Sequence, residues 1–237
     1  NLGSLNVGAY IHYNVYESGI PVGLEKRILD DEFTKVEQKA DGSTRIMWMD
    51  WDQYIKDIKE GIRFLDNVIE RSDFPSEKIR KTVEATRNVG LGLMGVYDAM
   101  ALLKIRYGSE RSYEFAEALA KVLREKSMEV SEELAEERGV FSLWEDSVHN
   151  PESEAHKWYY SNPKSIPDAF RGSMRLSDQV DRTRYMKFGS KVRNVCVNTQ
   201  APTGTIRRTV GHTLPRFDLE GKVQNNLIIS SGVEPMY

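Results

Sequence analysis

Val195-Cys196-Val197-Asn198-Thr199-Gln200-Ala201-Pro202-Thr203-Gly204-Thr205-Ile206 is the stretch on which the fold turns. Its first half predicts a short strand, over residues 192–199. A Pro/Gly/Thr loop comes directly off the end of that strand. Gly204 permits close backbone approach or an unusual dihedral angle. Thr203 and Thr205 supply hydroxyl donors, and a helix beginning here would turn free N–H groups toward the same point. Arg207 and Arg208 add positive charge. An anion such as a phosphate suits that set. The same letters also spell an ordinary turn with a threonine cap. The P-loop pattern does not apply, because the lysine after the glycine and the four-residue gap are absent.

Outward from this loop, the middle of the chain reads as helix. Trp51, Ile55, Ile58, Ile62, Leu65 and Ile69 recur at steps of four and three, one apolar stripe. Asp50 caps that helix, with Gln53 at the matching third position, and Asp73 and Pro75 end it. A second helix is predicted over residues 76–86, and a third holds residues 98–103 and stops by Gly108. Ser109 or Ser112 caps a long fourth, with Phe115, Leu119, Val122, Val130 and Leu134 inward and Gly139 closing it. Ala40-Asp41-Gly42-Ser43 marks a hairpin turn. Residues 1–23 read as a short strand and a loop. Residues 150–172 form a long connection with one short helix around Trp158-Tyr159-Tyr160. A further strand is expected at Asn226-Leu227-Ile228-Ile229. Central helices with strands toward the ends predict α/β packing.

Arg87-Asn88-Val89-Gly90-Leu91-Gly92-Leu93-Met94-Gly95 has the G-x-G-x-x-G intervals of a dinucleotide fingerprint. A charged helical segment precedes it, with no β-rich run, which argues against that reading. The expectation is a tight entry into a helix packed on a sheet, where glycines let backbones touch.

Composition excludes several classes. The 237 residues are 40% hydrophobic and 29% charged, with net charge -3. No basic run suggests a nucleic-acid groove. No apolar run approaches the roughly 20 residues that span a bilayer. The cytoplasm is the default location. One cysteine, Cys196, and four histidines give neither an intrachain disulfide nor a zinc spacing. Cys196 is expected to be a buried, inert thiol. Both ends are dense in Gly, Asn, Ser and Pro, and no initiator Met stands at the start. The expectation is the middle of a larger enzyme.

Five segments together carry a resemblance to the large chain of ribonucleotide reductases. Asn1-Leu2-Gly3-Ser4-Leu5-Asn6 resembles the family's Asn-Leu-Gly-Ser-Ile-Asn, which follows an active-site cysteine. Phe64-Leu65-Asp66-Asn67-Val68-Ile69 resembles its Phe-Leu-Asp-Asn-Val-Ile helix, and residues 90–95 its Gly-Leu-Gly-Val-Met-Gly segment. Residues 201–206 match its Ala-Pro-Thr-Gly-Thr-Ile loop, and Ser231-Gly232-Val233-Glu234-Pro235 its Ser-Gly-Ile-Glu-Pro segment. The order is the family order, and the spellings are closest to the adenosylcobalamin-dependent class. The chain departs from the pattern at residues 207–229, which intervene where typical members pass quickly to the Ser-Gly-Ile-Glu-Pro segment, and Arg207 replaces a usual serine.

The resemblance implies that residues 1–237 are part of one catalytic domain, an α/β barrel of ten strands with long outer helices. It implies reduction of ribonucleoside di- or triphosphates by a thiyl radical, with adenosylcobalamin as the radical source and a thioredoxin-like protein or dithiol as reductant. It implies that Pro202, Thr203, Gly204, Thr205 and Ile206 bind the substrate phosphates. It also implies that Asn1, Gly232, Val233, Glu234 and Pro235 line the active site. No catalytic cysteine and no metal ligand fall within this chain. Asp66 and Asn67 are read as structural. Two other readings stay open: a large-subunit fragment of a metal-cofactor ribonucleotide reductase, and a non-enzymatic helical interaction module.

Overall fold

A computed structural model describes residues 1–17, 20, 24, 26–162, 188–208, 216–217 and 223–224. The elements are β1 (Leu2–Asn6), β2 (Ile11–Tyr16), α1 (Lys26–Asp30), β3 (Lys35–Gln38), β4 (Thr44–Met49) and α2 (Trp51–Arg71). There follow α3 (Glu77–Thr86), β5 (Gly90–Met94), α4 (Val96–Leu102), α5 (Glu110–Arg138), α6 (Glu154–Ser161), β6 (Arg216–Phe217) and β7 (Val223–Gln224). They divide between two compact units. One comprises residues 1–65, 90–127 and 198–237; the other comprises residues 66–89 and 128–197.

In the first unit, β1 and β5 pair in parallel, with Leu2 opposite Gly90 and Asn6 opposite Met94. Three further strands form an antiparallel sheet in the order β2-β4-β3. The expected barrel is therefore corrected: among the described residues the strands form small separate sheets that do not close on one another. The physical reason lies in the connections. The turn at Asp41 and Gly42, where Gly42 has φ +84° and the Asp41 carboxylate accepts from the Ser43 N–H and hydroxyl, folds β3 straight back against β4. Such a turn makes antiparallel neighbours, whereas a parallel neighbour needs a long crossover. The long helices are present, 21 residues in α2 and 29 in α5.

The helix caps follow the sequence. The Asp50 carboxylate accepts from the Gln53 N–H at 3.0 Å, but the Gln53 side chain turns away to Asp57. The cap is single and the reciprocal box does not form. Ser109 Oγ accepts from the Ser112 N–H at the start of α5, and Gly139, at φ +83°, ends it. Tyr54, Ile58, Ile62 and Leu65 of α2 are buried, as are Phe115, Leu119 and Leu123 of α5, while Val122 is half-buried. Phe33 and Phe115 meet edge-on with centroids 5.0 Å apart, and Tyr10 and Tyr54 at 5.3 Å. The Tyr54 hydroxyl donates to the Leu119 carbonyl at 3.1 Å, and the Tyr10 hydroxyl to Asp57 at 2.8 Å.

The second unit is organised around a buried carboxylate. Asp66 is fully buried, and its Oδ1 accepts from Arg87 Nε at 3.0 Å, Arg87 Nη2 at 2.9 Å and Asn194 Nδ2 at 2.9 Å. Arg138 and Arg193 approach its Oδ2 at 3.4 and 3.7 Å. Arg87 ends α3 in the left-handed region, φ +47°. That conformation is unusual for a non-glycine residue, and here the guanidinium it delivers to Asp66 holds it. The reading of Asp66 as structural agrees with this arrangement. Phe141, Trp144 and Val192 form a small apolar core in this unit.

Two sequence expectations are revised. Residues 192–199 form no strand and bend at Arg193 and Val195; one parallel bridge links Asn198 to Leu91 of β5. The glycine-rich segment is itself a buried strand, β5, and α4 begins only after Gly95. Its near-continuous apolar run, flanked by glycines, is the pattern of a strand covered on both faces. The strand expected at Asn226-Leu227-Ile228-Ile229 lies outside the described residues.

Candidate functional site

Close backbone packing builds the base of the loop. A Cβ on Gly92 would lie 2.1 Å from the carbonyl oxygen of Thr199, and one on Gly90 would lie 2.9 Å from Thr199 Cβ. Gly92 admits no side chain while the Thr199 backbone sits against β5, whereas at Gly90 the nearest atoms are side-chain ones, Leu2 Cδ2 at 2.8 Å first among them. Gly92 thus serves backbone contact, as expected of it, although the partner is the segment at Thr199 and not a helix. The Thr199 N–H donates to the Leu91 carbonyl at 3.2 Å.

Two amide side chains complete the joint. Asn198 Nδ2 donates to the Leu91 carbonyl at 3.3 Å and to Ser127 Oγ at 2.9 Å. Gln200 Nε2 donates to the Leu93 carbonyl at 2.7 Å, and its Oε1 accepts from the Leu93 N–H at 3.2 Å. Residues 198 and 200 on one segment therefore match 91 and 93 on β5, the two-residue period of extended chain. Neither Asn198 nor Gln200 was among the expected site residues. The Asn-x-Gln spacing at a strand end was the available signal.

Beyond Gln200 the chain leaves the sheet at its carboxyl edge. Thr203 is buried and has φ +55°, and its Oγ1 donates to the Pro202 carbonyl at 2.8 Å. A β-branched residue there is a true outlier. The sequence offers Gly204 for close backbone approach or an unusual dihedral; Gly204 has no positive φ, and nothing lies within 4 Å of the position its Cβ would take. Pro202, Gly204, Thr205 and Ile206 are exposed. Among the described residues a three-residue 3₁₀ turn, Ile206–Arg208, follows the loop, and no longer helix points its N-terminus here. The Arg207 N–H donates to the Thr203 carbonyl at 3.2 Å, and its Nε to the Gly204 carbonyl at 3.4 Å. A guanidinium thus rests against an exposed Gly-Thr backbone.

Of the other expected site residues only Asn1 is among the described residues, and it stands apart from this loop. Asn1 donates from Nδ2 to the Leu65 carbonyl at 3.2 Å, and its own carbonyl accepts from the Gly90 N–H at 2.8 Å. It stands at the amino end of β1, while the loop departs past Leu93, three residues further along β5; that is roughly 10 Å of strand rise. Gly232, Val233, Glu234 and Pro235 lie outside the described residues. Cys196 is exposed, which corrects the expectation of a buried thiol; its carbonyl, not its side chain, faces inward, accepting from the Val89 N–H at 3.1 Å. Among the described residues no group of three or more His, Cys, Asp or Glu side chains is placed to hold a metal ion. None of their helices is long and apolar enough to cross a membrane.

A separate cleft of about 260 Å³ lies among Arg27, Asp31, Trp48, Asp50, Trp51 and Asp52. Its charged groups are occupied locally. Arg27 pairs with Asp52, and Trp51 Nε1 donates to Asp31 at 2.6 Å.

Comparison with known proteins bears on the loop. The family profile described as ribonucleotide reductase, barrel domain, matches residues 1–213. The vitamin B12-dependent ribonucleoside-diphosphate reductase of Thermoplasma acidophilum is 32% identical over 163 residues, 69% of this chain and 16% of that protein. The enzyme of the same name from Mycobacterium tuberculosis is 29% identical over 189 residues, 80% of this chain and 20% of its own length. A ribonucleoside-diphosphate reductase subunit alpha from Helicobacter pylori is 35% identical over 156 residues, 64% of this chain and 19% of that protein. The chain thus spans a fifth or less of these relatives.

Proposed function

The chain belongs to the ribonucleotide reductase family, and from that premise we propose that it is a segment of the catalytic domain whose loop 202–206 holds the phosphates of a ribonucleotide. The observation that carries this reading is the backbone of that loop. Thr203 is held at φ +55°, and Gly204 beside it is open to solvent, with Arg207 against its carbonyl. Residues held in sparsely populated backbone regions cost about 1–3 kcal/mol each and cluster where a ligand is clamped. The loop also lies at the carboxyl edge of parallel strands, where open α/β sheets bind ligands.

The full-length parent reduces the ribose 2′-hydroxyl of ribonucleoside di- or triphosphates by a thiyl-radical route. This chain's part is to bind and orient. The Thr205 hydroxyl and the N–H groups of Gly204 and Thr205 are the donors available to a phosphate oxygen, and Arg207 offsets its charge. The lone Cys196 is on the segment entering the loop, and the radical and redox thiols come from other parts of the parent. Partners are the ribonucleotide, the remaining segments of the parent and a thioredoxin-like or dithiol reductant. Gly232, Val233, Glu234, Pro235 and Asn1 line the same active site in this reading.

Two of the relatives are named as vitamin B12-dependent, and we assign the parent to that class, with adenosylcobalamin supplying the radical when bound. The described histidines do not fit as cobalt ligands. His12 stacks on Trp48 beside Asp50, His149 is buried against the Val195 carbonyl, and His156 Nδ1 bonds the Val148 carbonyl. No step here runs through the cofactor.

Gly204→Ala and Thr205→Val in the full-length parent test the loop. The first adds a methyl where nothing lies within 4 Å and φ is not positive, so the fold tolerates it, and only a ligand approaching the backbone meets it. The second removes a hydrogen bond to a charged group, about 1.5–3 kcal/mol, which is roughly ten- to hundredfold in binding. KM for the ribonucleotide should rise in both, with cobalamin affinity unchanged. Unaltered KM and kcat/KM in both would remove the loop from the site.

A further inference from the structure

We propose that Gln200 is a positioning residue for the nucleotide-phosphate loop, a role that rests on the loop reading above. Gln200 is exposed as a residue, yet its carboxamide is committed at both ends. Nε2 donates to the Leu93 carbonyl at 2.7 Å and, more weakly, to the Ala201 carbonyl at 3.3 Å. Oε1 accepts from the Leu93 N–H at 3.2 Å. A side-chain amide thereby imitates a peptide group and takes both backbone positions that β5 offers at Leu93. The main-chain pairing ends earlier, at the bridge from Asn198 to Leu91 and the bond from Thr199. Gln200 prolongs the ladder by one repeat while its own backbone is already turning away.

That arrangement fixes where the loop begins. Pro202 and the strained Thr203 follow within three residues, and the Arg207 N–H to the Thr203 carbonyl closes the far side. A backbone at φ +55° persists only when its surroundings over-determine it. Gln200 is the tie on the entering side. Loss of the tie should let Thr203 relax toward ordinary dihedrals, which moves the Gly204 and Thr205 N–H groups off the phosphate. Chemistry at the ribose uses none of these atoms. Gln200 thus acts on phosphate affinity and not on the rate of the bond-breaking step.

The test uses the full-length parent, with cytidine diphosphate as substrate and cytidine as a phosphate-free competitor. Gln200→Met keeps the length and removes both bonds. Gln200→Glu keeps the acceptor for the Leu93 N–H and loses the donor. We expect KM for cytidine diphosphate to rise about tenfold in Gln200→Met and less in Gln200→Glu. kcat should stay within about twofold and cytidine inhibition should not change. Should Gln200→Met not fold, the Gln200→Glu variant decides alone by the same KM criterion. Thr205→Val runs beside them. If it raises KM while the Gln200 variants do not, the role of Gln200 is overturned and the loop reading stands. If neither residue matters, the loop reading has failed and the proposal with it. If kcat and thermal stability fall in the Gln200 variants with KM unchanged, Gln200 is merely structural and the proposal is refuted.

Discussion

Replacing Asp66 by alanine probes the second unit at its most sensitive point. Asp66 is fully buried and the Arg87 side chain is 5% exposed. Removing the carboxylate leaves a buried guanidinium without its main partner. Breaking a buried ion pair from one side costs about 3–5 kcal/mol. Here the loss should fall near the lower end, because Glu70, half-exposed, still reaches Arg87 Nη2 at 2.8 Å and Arg193 Nη2 at 2.9 Å. The same carboxylate holds Asn194 Nδ2 at 2.9 Å, and the Asn194 and Arg193 N–H groups donate to Ser131. Local opening of residues 188–197 should therefore accelerate. At about 1.4 kcal/mol per factor of ten, a loss of 3 kcal/mol is roughly a hundredfold in amide exchange. Hydrogen exchange read by mass spectrometry on the full-length parent measures this peptide directly. The double variant Asp66→Leu with Arg87→Met removes both charges and should recover much of the loss, since an apolar pair often replaces a buried ion pair without penalty. A change below about 1 kcal/mol in Asp66→Ala, or a double variant worse than the sum of its singles, would refute the reasoning.

Three other outcomes follow. Thr203→Gly relieves a left-handed threonine, worth about 1–2 kcal/mol, so its melting temperature should not fall, while KM for the ribonucleotide rises; a lower KM would contradict a pre-organised loop. Burial and Asp57 raise the Tyr10 hydroxyl well above its ordinary value near 10, and burial alone raises Tyr54. Both favour the neutral form in the fold, so the stability they contribute is full below pH 10 and is lost as pH rises above it. Alkaline titration followed by tyrosinate absorbance should show two tyrosines ionising only with unfolding, and their titration alongside the exposed ones would overturn this. The 237-residue chain by itself should not reduce ribonucleotides, because it has one thiol; deoxyribonucleotide formation above a protein-free control would contradict that.

The helices were legible because their signals are local. The apolar stripe of α2, the caps at Asp50 and Ser109 and the stop at Gly139 each need only a few neighbouring residues. The hairpin at Asp41 and Gly42 is legible for the same reason. Pairing between distant segments was not. Nothing in Gly90-Leu91-Gly92 states that Thr199 will press against it, so a buried strand looked like a helix entry. Propensity points to Gly204 as a residue open to an unusual dihedral or a close approach, and the positive φ stands instead at Thr203. Closure of the strands into a barrel is implied by the resemblance, whereas the antiparallel sheet of order β2-β4-β3 shows how a short turn sets β3 back against β4. The candidate loop was visible as letters; its anchors, Asn198 and Gln200, became visible only with β5 beside them.

Membership of the ribonucleotide reductase family leaves the chemistry of the parent as the central claim. The direct measurement is ribonucleotide reduction by the full-length parent, with a dithiol reductant, in the presence and absence of adenosylcobalamin. Deoxyribonucleotide formation that requires adenosylcobalamin, and no metal-bearing second subunit, is the result expected. Full activity without adenosylcobalamin, restored by a metal-loaded second subunit, would contradict the assignment of the radical source, and no reduction under either condition would contradict the function itself.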